Sequence, residues 1–393
     1  MDPDLSELDD YLAETGVDGY LIEADGETAD QRYLSGFRAP DPFVTLYTGE
    51  TTLLVSALEY GRATRTARAE HVERHSTYDH RANVSEYGSP EGDYRTLAAF
   101  LDAHDAESVA VPSDFPVGTA DGLRDRGVSV EADGDGVVGS IRATKLDEEI
   151  EHVRATQRAN ESAMARAEEL FESATVVDGT LHVDGEPLTA ERVKREIEIE
   201  LLGHDCALDE TIVACGADAA DPHDRGSGPL SAGEAIIVDI FPRSKETGYY
   251  ADMTRTFCVG EPPETIGRWY DLTREAQQAA LDAIRAGVSG SAVHDAVCDV
   301  YEGSGLPTLR ADETAETGFI HTTGHGVGLD IHEQPRLSEA DVELEAGNVV
   351  TVEPGLYDPE VGGVRIEDLV VVTEDGHENL TEYPKELVVG SDS

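Results

Sequence analysis

Short apolar runs bounded by turn residues alternate with helical spacing through the first third of the chain. Val17–Ala24 (VDGYLIEA) and Phe43–Leu54 read as strands, the second broken by a turn at Gly49. Thr96–Ala103 repeats its apolar positions at the helical period and is followed by a strand over Ser108–Val111. This alternation predicts an α/β domain. The Gly- and Asp-rich stretch EADGDGVVGS at 131–140 predicts a junction, which divides the chain into domains 1–140 and 141–393. Beyond it a long helix is predicted from Asp147 to Ser173, with Ile150, Val153, Met164, Leu170 and Phe171 along its length. Further helices are predicted over Ala190–Cys206 and Ile266–Ala286. Strand pairs fall between and after these helices, so the second domain reads as α+β.

Composition narrows the function. A chain of 393 residues with 39% hydrophobic positions can bury two cores and is not a disordered acidic segment. Its 82 acidic residues against 29 basic ones give a formal charge of −53, and only Lys145, Lys194, Lys245 and Lys385 are lysines. Such a field repels phosphate backbones and anionic lipid, which excludes nucleic acid and membrane surfaces as partners. It also repels itself, a repulsion that 1 M salt screens to about 3 Å. A high-salt cytoplasm is therefore the expected setting. The melting temperature should rise with KCl into the multimolar range, and a value indifferent to salt would mark an ordinary acidic protein. Cys206, Cys215, Cys258 and Cys298 form no CxxC pair, the N-terminus has no apolar run, and no stretch reaches 18 apolar residues. These features predict reduced thiols and a cytoplasmic location.

Candidate chemistry gathers in the second domain. In AIIVDIFPRSKETGYYADMTRTFCV (235–259), Asp239 and Asp252 are equidistant from the Lys245–Glu246 midpoint. A hairpin centred there sets them directly opposite, at about 4.5–5.5 Å between Cβ atoms. In VVTVEPGLYDPEVGGVRIEDLVVV (349–372), Glu353 and Glu367 flank Glu360 in the same way, with Arg365 on the face of Glu367. Opposed carboxylates on apolar strands are unfavourable without a counterion. Between the hairpins, HTTGHGVGLDIHE (321–333) has His321 and His325 at a zinc-helix spacing, but Gly324, Gly326 and Gly328 predict an extended strand that presents His325. One imidazole and four carboxylates suit two divalent cations, Mn²⁺ first, with Co²⁺ or Zn²⁺ as alternatives. In the first domain His71, His75 and His80 lie among Arg and Glu and read as solvated surface.

With these motifs in place, the chain resembles the M24-type metallopeptidase family that contains Xaa-Pro dipeptidase (prolidase), aminopeptidase P, methionine aminopeptidase and creatinase. VDIF…YYADMTRTF, HTTGHGVGLDIHE, TVEPGLY and GGVRIED occur in the family's order, and QRYLSGFRA with IRATKLDEEIEHVRATQ extends a weaker likeness into the first half. The resemblance implies a creatinase/prolidase-like N-terminal domain followed by a pita-bread catalytic domain. It implies metal ligation by Asp239, Asp252, His325, Glu353 and Glu367, with Asp252 and Glu367 shared between the ions. It further implies His223 and His332 as catalytic hydrogen-bond donors, Glu353 as general base, His321 on the substrate side, and Arg365 either as a substrate anchor or as a group that orients Glu367. The implied reaction is attack of metal-activated water on an Xaa-Pro peptide bond, by a homodimer. Dipeptidase and aminopeptidase activities both fit. A creatinase-like hydrolase or lyase of a small metabolite is the alternative on the same fold, and a non-catalytic binding module is a third reading.

Overall fold

In the computed structural model, which describes residues 3–390, the chain forms two compact units, Met1–Arg142 and Ala143–Ser393. The first holds a six-stranded sheet in the order His71–Arg74, Thr51–Val55, Phe43–Tyr47, Gly19–Ala24, Ser108–Pro112, Ser129–Asp133. Gly49, at φ 91°, makes the turn between the two central hairpin strands, a backbone conformation that side chains resist. Leu97, Phe100, Leu101 and Leu123 cover one face of the sheet through Leu21, Leu46, Leu54 and Val109. Phe37, Phe43, Leu53, Val55 and Ala63 form a second cluster. The helix predicted from Thr96 begins earlier, at Glu91, where Glu91 and Asp93 in its first turn complement the helix dipole.

The stretch 131–140 is no open linker. It holds the end of the last strand and the start of a helix, Val137–Ala143. Asp133 explains the polar composition: its buried carboxylate accepts the N–H groups of Asp135, Gly136 and Val137 at 3.1, 2.8 and 2.8 Å, and the Tyr20 hydroxyl at 3.1 Å. The polar cluster is thus a capped turn.

In the second unit two helix pairs each back one sheet. Asp147–Glu172 and Ala190–Gly203 pack through Ala163, Phe171, Val193 and Ile197 on Ile236, Val238, Ile240 and Phe257. These last belong to a sheet ordered Thr211–Cys215, Ile236–Ile240, Met253–Val259, Val388–Val389. Glu264–Ala283 and Gly290–Gly303 pack through Trp269, Tyr270, Val293 and Val297 on Val350, Val352, Val370 and Val372. Their sheet runs Glu333–Leu337, Gly324–Gly326, Val349–Val352, Asp368–Val372, His377–Asn379. The helix Gly290–Gly303 lay outside the sequence expectation because its start, SGSA, reads as a loop; the Ser289 side chain caps it by accepting the Ala292 N–H. Among the described residues no helix is long and apolar enough to cross a membrane.

Strand alternation turns one face of each sheet toward its helices and frees the other for polar residues. Ile236, Val238 and Ile240 pack on helices while Asp239 faces away from them, and Val350 and Val352 do so while Thr351 faces away. The freed faces carry the candidate chemistry.

A candidate metal centre

The first hairpin is shifted from its predicted register. Asp239 pairs with Thr254, and Ile240 with Met253, so Asp252 lies diagonal to Asp239 on the same face, not directly across. The cause is the turn. Arg243 bridges Tyr250, Ser244 N donates to Tyr249 O, and Gly248 at φ 84° completes a loop centred between Glu246 and Thr247. The second hairpin keeps the predicted register, with Val352 opposite Asp368 and Gly355 opposite Arg365. At Glu353 and Glu367 the ladder opens: Glu353 N donates to Thr323 O at 2.8 Å and Glu367 N to Thr254 O at 3.0 Å. Each glutamate is drawn toward a neighbouring strand, and the second of these bonds stitches the two sheets together.

His325 stands on the short strand Gly324–Gly326, extended as predicted, with a bulge between His325 and Gly326. Its glycine neighbours are required by packing, since a Cβ on Gly324 would lie 2.0 Å from Thr351 O and one on Gly326 2.1 Å from Gln334 O. The Nδ1 atom of His325 sits 3.1 Å from the Gly326 carbonyl, so it carries the proton and leaves the Nε2 lone pair free.

All five predicted ligand residues line one cavity of about 830 Å³, together with His223, His321, His332 and Arg365. One oxygen each of Asp252 and Glu367 and one nitrogen of His325 lie within 4.8 Å of one another. His325 Nε2 is 3.4 Å from Glu353 Oε1 and 3.8 Å from Asp252 Oδ2. Asp239, Asp252, His325 and Glu367 are buried, and Glu353 is partly exposed, its side chain at 17%. Burial, then the neighbouring Asp239 and Glu353, pushes the Asp252 carboxyl well above its ordinary range; burial and the charge of Asp252 do the same to Glu367. Burial raises Glu353 to about 8 and lowers His325 to about 3, which keeps the imidazole neutral. Asp239 Oδ1 and Glu367 Oε1 are buried with no hydrogen-bond partner among the described residues. Buried acceptors aimed inward, a neutral imidazole and repelling carboxylates fit a centre built for cations.

Arg365 is committed to the protein. Its side chain, 4% exposed, pairs with Asp239 Oδ2 at 2.7 Å and donates to Tyr357 Oη at 2.8 Å, Thr254 Oγ1 at 3.2 Å and the Pro222 carbonyl at 3.2 Å. Thr254 Oγ1 in turn donates to Glu367 Oε2 at 2.8 Å. Arg365 therefore orients Asp239 directly and Glu367 through Thr254. His321 Nε2 is 3.1 Å from Tyr357 Oη, and its Nδ1 is 2.7 Å from Thr322 O. Tyr357 accepts from Arg365, so it donates to His321 Nε2, and the second histidine nitrogen holds the proton. His332 stacks edge-on against His325 with centroids 4.3 Å apart, and burial lowers its pKa. His223 is exposed at the same cavity. Thr254 and Tyr357 escaped the sequence reading; the period of two from Asp252 to Thr254 was the available signal for the first.

This constellation, set where two helix-backed sheets meet, is a candidate centre for divalent cations. Residues 151–374 match metallopeptidase family M24 and residues 5–155 match the creatinase/prolidase N-terminal domain. The chain belongs to metallopeptidase family M24. It is 34% identical over 257 residues, 65% of this chain and 67% of the other, to the Xaa-Pro dipeptidase of Pyrococcus furiosus. It is 28% identical over 397 residues, 99% of each chain, to that of Pyrococcus horikoshii. The solved Xaa-Pro dipeptidase from Bacillus anthracis superposes with a TM-score of 0.82 at 25% identity, covering 98% of both chains.

Proposed function

We propose that the chain is a dinuclear metallopeptidase that hydrolyses Xaa-Pro peptide bonds, with proline-containing di- or short peptides as substrates. The observation that carries this reading is the convergence of three buried carboxylates, the partly exposed Glu353 and one neutral imidazole on a single open cavity, in a chain similar over its length to Xaa-Pro dipeptidases. Asp239, Asp252, His325, Glu353 and Glu367 would hold two divalent cations, Mn²⁺ first among those that this donor set accepts. What such cations supply is Lewis-acid polarisation of a carbonyl and a lowered pKa for water.

The protein's own groups then have distinct tasks. Glu353, the most open of the carboxylates, takes the proton from the attacking water and passes it to the leaving nitrogen. His332 and His223 reach the cavity and, where protonated on the facing nitrogen, donate to the substrate carbonyl as negative charge develops there. Arg365 and Tyr357 keep Asp239 and His321 in place, and His321 offers its ring wall to the substrate. The remaining features of the reading are a homodimer, which rests on the family resemblance alone, and a high-salt cytoplasm, supported by the charge of −53 and the scarcity of lysine.

The test is release of the free N-terminal residue Xaa in multimolar KCl with Mn²⁺ present. Turnover of Xaa-Pro but not Xaa-Pro-Yaa identifies a dipeptidase, and the reverse an aminopeptidase. Creatine-type metabolites turned over in place of both would move the chain to the creatinase-like alternative. No turnover of any of them would defeat the enzymatic reading.

A further inference from the structure

Behind the candidate centre, on the helix side of the sheets, Arg255 and Asp368 form an ion pair whose side chains are 1% and 0% exposed, at 2.9 Å. Each is the sequence neighbour of a residue on the front face: Thr254 precedes Arg255 and Glu367 precedes Asp368. The period of two thus sets a front contact, Thr254 Oγ1 to Glu367 Oε2, against a back one, Arg255 to Asp368.

The guanidinium uses every donor it has. Nη1 donates to the carbonyls of Thr254 at 2.9 Å and Glu367 at 2.6 Å, so one nitrogen joins the two strands at the rung where the sheets meet. Nη2 donates to Asp368 Oδ1 and to Tyr383 O, both at 2.9 Å, and Nε to Pro384 O at 2.9 Å. The other carboxylate oxygen of Asp368 accepts from Asn379 Nδ2 at 2.9 Å and pairs with Lys385 Nζ at 2.5 Å. Five N–H groups in a fixed planar fork are what this set of acceptors demands, and an ammonium has three. Residues 383–385 precede the strand Val388–Val389, which joins Met253–Val259 in parallel.

We propose that Arg255, with Asp368, is a positioning device for the metal centre. It fixes the spacing between the strands that carry Asp252 and Glu367, and it makes the segment 379–385 a structural part of the site. The inference rests on the metal-centre reading above. Nothing in the ion pair reaches the cavity, so its influence on cation binding runs only through the backbone of Thr254 and Glu367.

The test measures Mn²⁺ binding to the full-length metal-free protein by calorimetry, with circular dichroism as the control for folding. Arg255→Lys keeps the charge but loses the fork; it is expected to fold and to bind Mn²⁺ roughly 10- to 100-fold more weakly, the usual effect of losing an outer partner of a metal site. A second variant, Arg255→Met with Asp368→Leu, removes both buried charges at once, a replacement that buried ion pairs commonly tolerate. It should recover the melting temperature without recovering Mn²⁺ affinity. Either variant, folded and binding Mn²⁺ within twofold of the parent, overturns the proposal. So does failure of both to fold, since the pair would then serve the fold as a whole. A parent protein that binds no Mn²⁺ at all would instead refute the metal-centre reading, which separates the two failures.

Discussion

Glu353→Gln is expected to lower kcat by roughly 10²- to 10⁴-fold, the range that a positioned general base contributes, while leaving the fold intact. The reasoning is geometric. Glu353 is the most open of the four carboxylates, at 17%, and lies 3.4 Å from His325 Nε2. Thr351 Oγ1 sits 3.4 Å from Glu353 Oε1, a long contact that leaves the carboxylate free to exchange a proton. Glutamine keeps the size and one oxygen donor but cannot accept the proton of water. Cation binding should therefore fall much less than turnover. Steady-state kinetics on Xaa-Pro substrates, with metal content measured on the same sample, separates the two effects. A variant that retains full metal and works within threefold of the parent would remove Glu353 from the proton path.

The second large effect concerns the protein without metal. Burial raises Glu353 from the ordinary 4.5 to about 8, and raises Asp252 and Glu367 well above their ordinary values. Folding thus retains protons that the unfolded chain releases. Where the native state binds more protons, stability falls as pH rises. The stabilisation is complete below the unfolded value near 4.5 and is lost as pH climbs toward 8. Each retained proton changes stability by at most about 1.4 kcal/mol per pH unit. Histidines that burial holds below the ordinary 6.5, among them His321, His325 and His332, give the opposite slope below that value. In chelator and constant multimolar KCl, the melting temperature should therefore drop between about pH 6.5 and pH 8. Saturating Mn²⁺ should abolish that drop, because the cations replace the protons as counter-charge. Constant high salt matters, since it screens the general repulsion of a chain at −53 that would otherwise move with pH as well. A metal-free protein whose melting temperature rises over this window would contradict the assignment of the cluster.

Much of the site was legible because its information is local. The alternation in AIIVDIF and VVTVEP, the glycines around His325 and the order of the four motifs each depend on a few adjacent residues. They predicted which side chains turn away from the core, and the resemblance they carry implied the ligand set. The hairpin through Glu360 followed from symmetry of its strands, and its register holds from Val352–Asp368 to Asp358–Gly362.

Three things needed the assembled chain. The offset of Asp239 against Thr254 was set by the loop ending at Gly248 and by the pairing of Arg243 with Tyr250. Arg365 could be read as a substrate anchor or as an orienter of Glu367 until Tyr357, Pro222, Thr254 and Asp239 were seen to take four of its five N–H donors. Nothing in the sequence around Arg255 singles it out, and only the arrival of Glu367, Asp368 and residues 383–384, more than a hundred positions later, makes it the junction of the two sheets. Periodicity decides from neighbouring residues which face of a strand is polar. Which polar group meets which is decided by loop closure and sheet docking, and these bring together residues whose separation no local pattern encodes.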